Sequence, residues 1–122
     1  MAFKPFDLTG KVSLVTGGNG GIGLGMAEGL AQAGSDVEVW GTNVAKNDAA
    51  LSRLEEHGTR VSARVVDVSD EDAVNAAMGD LLGIYGRLDA CFANAGIAAE
   101  TAPFHDISTE AWRKVMAVNL DG

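Results

Sequence analysis

Apolar and polar residues fall along this chain in blocks. Four short apolar stretches, Val12–Thr16, Val37–Trp40, Val61–Val66 and Leu88–Ala93, have the length and the β-branched content of strands. The first is apolar enough to be buried on both faces. Between them lie segments with apolar residues at helical spacing. Gly21–Ala33 predicts a helix stopped by Gly34, and Val44–His57 predicts another, with Ala50, Leu51 and Leu54 on one face and Gly58 after it. Ser69-Asp70-Glu71-Asp72 starts a third helix carrying Val74, Ala77, Met78, Leu81 and Leu82. A polar cap and acids in the first turn meet free N–H groups and the helix dipole there. Ser108 caps a last helix with Trp112, Val115 and Met116 behind it. The order βαβαβαβα predicts an α/β fold: a parallel sheet with helices on both faces and right-handed crossovers.

Composition narrows the classes. The 122 residues make one domain at most, or part of one. Hydrophobic content of 47% with 21% charged residues is that of a folded protein. The net charge of −8 disfavours nucleic acid and anionic membranes as general partners. Cys91 is the only cysteine, which rules out an intrachain disulfide and suits a reducing compartment. Its place in the fourth strand predicts a buried, small apolar residue. With no signal-peptide pattern at the start and no apolar run long enough for a bilayer, a cytoplasmic protein is expected.

Thr16 to Gly23 reads T-G-G-N-G-G-I-G, between the first strand and the first helix. A glycine-rich turn of this kind lets the backbone approach a pyrophosphate and presents the free N–H groups of a helix start to it. The competing reading is a glycine-rich turn without a ligand. Glu38 is unusual for a central strand: either Arg64 of the next strand pairs with it, or it reaches solvent at a sheet end. His57 and His105 fall in expected surface segments without a Cys or acid at ligand spacing, so no metal site is expected.

The motifs together resemble the first half of a short-chain dehydrogenase/reductase. Thr16, Gly17, Gly21 and Gly23 match T-G-x-x-x-G-x-G, and Asp67-Val68 match the aspartate after the third strand. Asn94-Ala95-Gly96 match the Asn-Ala-Gly signature after the fourth, and Asn119 matches the asparagine of V-N-x-x-G. The resemblance implies a doubly wound Rossmann sheet of strand order 3-2-1-4. It makes residues 1–122 a dinucleotide-binding domain that ends after its fourth helix, with the second half of the fold absent. It implies hydride transfer between a nicotinamide cofactor and an alcohol or ketone, in a protein that is a homo-oligomer at full length. The alternative is a truncated, catalytically inactive nucleotide-binding chain.

The expected cofactor residues are Gly17, Asn19, Gly20, Gly21, Ile22 and Gly23 of the loop, Thr42 and Asn43, Asp67 and Val68, and Asn94, Ala95 and Gly96. Asp67 can accept from an adenine amino group, or simply cap a strand end. Asn94 can bond backbone groups and hold neighbouring strands, a role that is structural as readily as functional. Asn119 follows Trp112 and Val115 at helical spacing on the apolar face, so a buried amide with partners is expected. In the family this residue holds a water in the proton relay, beside a serine and a Tyr-x-x-x-Lys. The single tyrosine, Tyr85, has aspartate four residues on and does not start that motif; packing is its expected role. NAD-binding sheets carry an acid about twenty residues past the glycine loop. Here that position is near Gly41, and no acid is present. The arginine of many NADP-type relatives is also absent, at Thr42. NAD and NADP both stay open, with a lean to NADP because nothing repels a 2′-phosphate.

Overall fold

In the computed structural model, which describes residues 4–122, the apolar stretches form one parallel sheet. Its strands are β1 (Val12–Thr16), β2 (Asp36–Gly41), β3 (Val61–Val65) and β4 (Ala90–Phe92), in the order β3-β2-β1-β4. The helices are α1 (Gly21–Gln32), α2 (Val44–Glu55), α3 (Glu71–Tyr85) and α4 (Thr109–Met116). Val15 lies opposite Val39 on one side and Phe92 on the other, so β1, β2 and β4 end at one level. The chain winds outward from β1 through β3 and then returns to the other side of β1. That reversal opens a crevice at the carboxyl ends of β1 and β4.

The blocked pattern follows from burial on both faces. Val15, Val37 and Val39 meet Ala27 and Ala31 of α1 and Leu54 of α2 on one side. Leu14 and Trp40 meet Ala77 and Leu81 of α3 on the other. Successive strand residues point to opposite faces, so a strand covered on both needs apolar residues throughout. All five residues of β1 are buried. Polar Ser13 is accommodated by pairing its hydroxyl with that of Ser35 at 2.9 Å.

Glu38 does not reach solvent. It is fully buried and accepts from Trp40 Nε1 (2.6 Å), Ser62 Oγ (2.8 Å) and Arg64 Nε (3.1 Å). Arg64 passes its other end to Asp80 of α3 at 2.8 Å. Ser62 also shares a 2.6 Å hydrogen bond with the Tyr85 hydroxyl. A charge in the sheet centre is thus matched by three donors from β2 and β3.

Several expectations are corrected. Cys91 is exposed, because β4 is an edge strand with only β1 beside it; partial burial of its thiol still pushes the pKa up. β4 is shorter than the apolar run. Asp89 turns away to exchange bonds with the Val12 peptide, accepting from its N–H at 2.9 Å and donating to its carbonyl at 2.9 Å. His57 is half-buried, not a surface residue. Finally, α4 buries no residue, and Trp112 is 57% exposed.

Candidate functional site

Four helix starts meet their free N–H groups differently. Asn43, Asp70 and Ser108 cap α2, α3 and α4 with side-chain oxygens. Gly20 caps α1 with no side-chain bond, and the first turn of α1 holds no acid. The N–H groups of that turn therefore point out of the glycine loop with no side chain to receive them. A Cβ built at Gly20 or at Gly21 meets no atom within 4 Å, so open space lies beside the loop. Gly21 also needs its φ of 53°, which disfavours any side chain. Gly23 and Gly17 serve contact instead. A Cβ on Gly23 would lie 2.2 Å from the Gly17 carbonyl oxygen, and one on Gly17 would lie 3.0 Å from Ala95 Cα.

A cleft of about 330 Å³ opens at the carboxyl ends of the strands. It brings together Gly17, Asn19, Thr42, Asn43, Asp67, Val68, Ala95 and Gly96 from four separate loops. Gly20, Gly21, Ile22, Gly23, Asn94 and Asn119 are not among its walls. The Asp67 carboxylate accepts from the Ser69 hydroxyl at 2.6 Å and the Ser69 N–H at 2.9 Å. Those bonds, the hydroxyl first, hold its pKa below the ordinary 3.8. Asp67 is exposed and charged at neutral pH.

Asn94 joins the two strands at the floor of the site. Its Nδ2 donates to the carbonyls of Thr16 (3.1 Å) and Gly17 (3.3 Å). In return Thr16 Oγ1 accepts from the N–H groups of Asn94 (3.1 Å) and Ala95 (3.0 Å). Asn119 clamps one peptide: its Oδ1 accepts from Ile97 N–H at 2.8 Å and its Nδ2 donates to Ile97 O at 3.0 Å. The amide has its partners, yet it is exposed, which corrects the expectation of burial. Asn119 lies in a π-helical turn at Ala117–Asp121 that follows α4, and neither that turn nor α4 buries a residue.

Sequence reasoning missed several participants. Lys46 and Lys114 line the cleft, and Trp40 forms part of its wall. Lys46 sits two residues past the first residue of α2, a position at which a lysine is ordinarily only a solvated helix residue. Asn47, 3% exposed, donates to Gly41 O (2.9 Å) and Arg64 O (3.2 Å) and accepts from Asn19 Nδ2 (2.9 Å). An asparagine inside a helix pattern was the one available signal. Tyr85 is not in the cleft; its half-buried hydroxyl faces Ser62 under α3, and burial pushes its pKa up. Among the described residues no group of three or more His, Cys, Asp or Glu is placed to hold a metal ion, and no helix is long and apolar enough to cross a membrane.

A parallel sheet of this winding, with an uncapped glycine-loop helix opening onto a crevice at the strand ends, defines a Rossmann-type nucleotide-binding fold. The chain belongs to the short chain dehydrogenase family, whose pattern matches residues 11–122. It is 35% identical over 118 residues to a sorbose reductase of Candida albicans, covering 96% of this chain and 42% of that protein. A xylitol dehydrogenase solved with NAD+ bound superposes with a TM-score of 0.90 at 32% identity, covering 93% of this chain and 44% of that one. A metagenomic short-chain oxidoreductase solved with NADP gives 0.88 at 31% identity, covering 94% and 52%. The chain thus spans about half the length of these relatives.

Proposed function

We propose that residues 1–122 form the dinucleotide-binding half of an NAD(P)-dependent oxidoreductase that transfers a hydride between nicotinamide and an alcohol or carbonyl. The observation that carries this is the convergence of the open glycine loop, Asp67 and the Asn94–Gly96 turn at one crevice. The backbone from Gly17 to Gly23 would hold the pyrophosphate against the start of α1. Asp67, charged and with one carboxylate oxygen uncommitted to Ser69, would accept from the adenine amino group. Asn94 fixes the loop geometry through Thr16 and Gly17, and Gly96 leaves room beside it. Asn119 would hold the Ile97 peptide, and with it the wall of the nicotinamide end. When bound, the cofactor supplies the hydride acceptor or donor. The residues described here bind and orient it.

The cofactor proposed is NADP. Thr42, Asn43 and Lys46 stand together at the β2 end of the cleft. Asn43 Oδ1 accepts from Lys46 N–H at 2.9 Å, which leaves its Nδ2 to meet a ligand. The start of α2 and the Lys46 ammonium both favour an anion there. Isothermal titration of the purified protein with NADP+ and NAD+ tests the reading. Saturable binding of NADP+, tighter than NAD+, is expected; binding of neither would sink it.

A further inference from the structure

Asn47 occupies a costly position. It lies inside α2, where asparagine is a poor helix former, and a buried amide destabilises the fold unless its groups are all met. They are met, and in only one orientation. Two backbone carbonyls, Gly41 O and Arg64 O, can be satisfied only by the NH2 end. The Oδ1 end must then face the glycine loop, where it accepts from Asn19 Nδ2. One amide therefore ties α2 to the ends of β2 and β3 and to the loop.

The consequence appears at Gly41. A Cβ there would lie 2.2 Å from Asn19 Nδ2 and 2.6 Å from Asn47 Oδ1. Gly41 has no left-handed φ, so space and not backbone strain requires the glycine. Position 41 is where the ribose-binding acid of an NAD sheet is expected, about twenty residues past the loop. The amide pair fills that volume, and Asn47 cannot yield because two backbone carbonyls hold it.

We propose that Asn19 and Asn47 together exclude an acidic side chain from position 41, and so set the ribose end of the cleft to accept a nucleotide that carries a 2′-phosphate. This rests on the nucleotide reading above. Asn47 is in these terms a positioning residue, and positions 19, 41 and 47 act as one specificity unit.

Two probes without nicotinamide test the unit, 5′-AMP and 2′,5′-ADP, titrated calorimetrically against the purified protein. The parent protein should bind 2′,5′-ADP about tenfold tighter, a factor worth about 1.4 kcal/mol. Gly41→Ala, which adds only the Cβ, should weaken both probes about tenfold or more, because the loop must shift. Gly41→Asp with Asn47→Ala frees the volume and should restore 5′-AMP binding and reverse the preference. Unchanged binding in Gly41→Ala, or the parent preference in the double variant, would overturn the inference. An independent readout needs no variant. The side-chain amide protons of Asn19 and Asn47 should exchange slowly in NMR spectra of the ligand-free protein, and free exchange of both would equally overturn it. If the parent binds neither probe, the nucleotide reading fails and takes this inference with it, whereas failure in the variants alone leaves that reading standing.

Discussion

Gly21 and Gly23 are two residues apart in one loop and are required for different reasons. At Gly21 the space beside the backbone is empty and φ is 53°. Gly21→Val should therefore abolish NADP+ binding, by filling the phosphate space and straining the turn, while the sheet stays folded. Calorimetry alongside circular dichroism checks this; unchanged affinity in a folded variant refutes the phosphate assignment. At Gly23 the neighbour is the Gly17 carbonyl, so a substitution there strikes the fold first. Asp67→Ala should weaken adenine-containing cofactors about five- to thirtyfold, the scale of one hydrogen bond to a charged group. Nicotinamide mononucleotide, which lacks adenine, should be nearly unaffected, and equal losses for both would assign Asp67 to stability. Its pKa is lowered, so the carboxylate stays charged as pH falls to and somewhat below 3.8. The stabilisation from its Ser69 bonds is full above 3.8 and is lost only as pH falls through the depressed folded value. Affinity for NAD+, which carries no 2′-phosphate titrating at about pH 6, should accordingly stay flat from about pH 8 to pH 5. A loss centred above pH 5 would point to another group.

Among the elements, β2 carries the least expected feature. Its central Glu38 is tied to Trp40, Ser62 and Arg64, and so couples β2, β3 and, through Asp80, α3. Glu38→Ala leaves three donors without their acceptor, and Arg64 has only Asp80 in reach. The expected loss is about 3–5 kcal/mol, the range for breaking a buried pair, measured by urea unfolding. Glu38→Leu with Arg64→Met should recover part of that loss, because a buried pair is often matched by apolar packing once both charges are gone. A loss below about 1 kcal/mol in Glu38→Ala would show that water reaches the carboxylate. The pairing with Arg64 was legible as one of two readings, since the two residues fall on neighbouring strands. The other two partners were not, because Trp40 and Ser62 read as ordinary strand residues. The same limit applies to α4. Its capping serine was plain in the sequence, but the π-turn at Ala117–Asp121 that carries Asn119 has no sequence signature.

For the whole molecule, the question is which steps these residues can carry. The cleft contains Lys46, Lys114 and Asp67 but not the tyrosine: Tyr85 donates and accepts under α3, away from the strand ends. Positioned acid–base catalysis is worth about 10²–10⁴-fold. The purified 122-residue chain should thus bind NADP+ without turning over ketones or secondary alcohols above background. Spectrophotometric assay with NADH and NADPH checks it. Sustained turnover would show that a group in this half performs the proton transfer.

Strand and helix order and the glycine loop followed from the sequence, because each rests on local chemistry: apolar runs, caps, and glycines where a backbone must approach a ligand; the sheet order came through the family resemblance of the motifs. Asp67 and Asn94–Gly96 became candidates through the same resemblance, as matches to motifs that follow the third and fourth strands. What only the tertiary structure decided was which side chains face one another across those ends. Glu38 is hydrogen-bonded by three donors, Cys91 lies open on an edge strand, and Lys46 enters the cleft. The space beside Gly41 is filled by two amides from separate segments. Such facts depend on the relative placement of four loops in three dimensions, to within an ångström, and no spacing along a single chain encodes that distance directly.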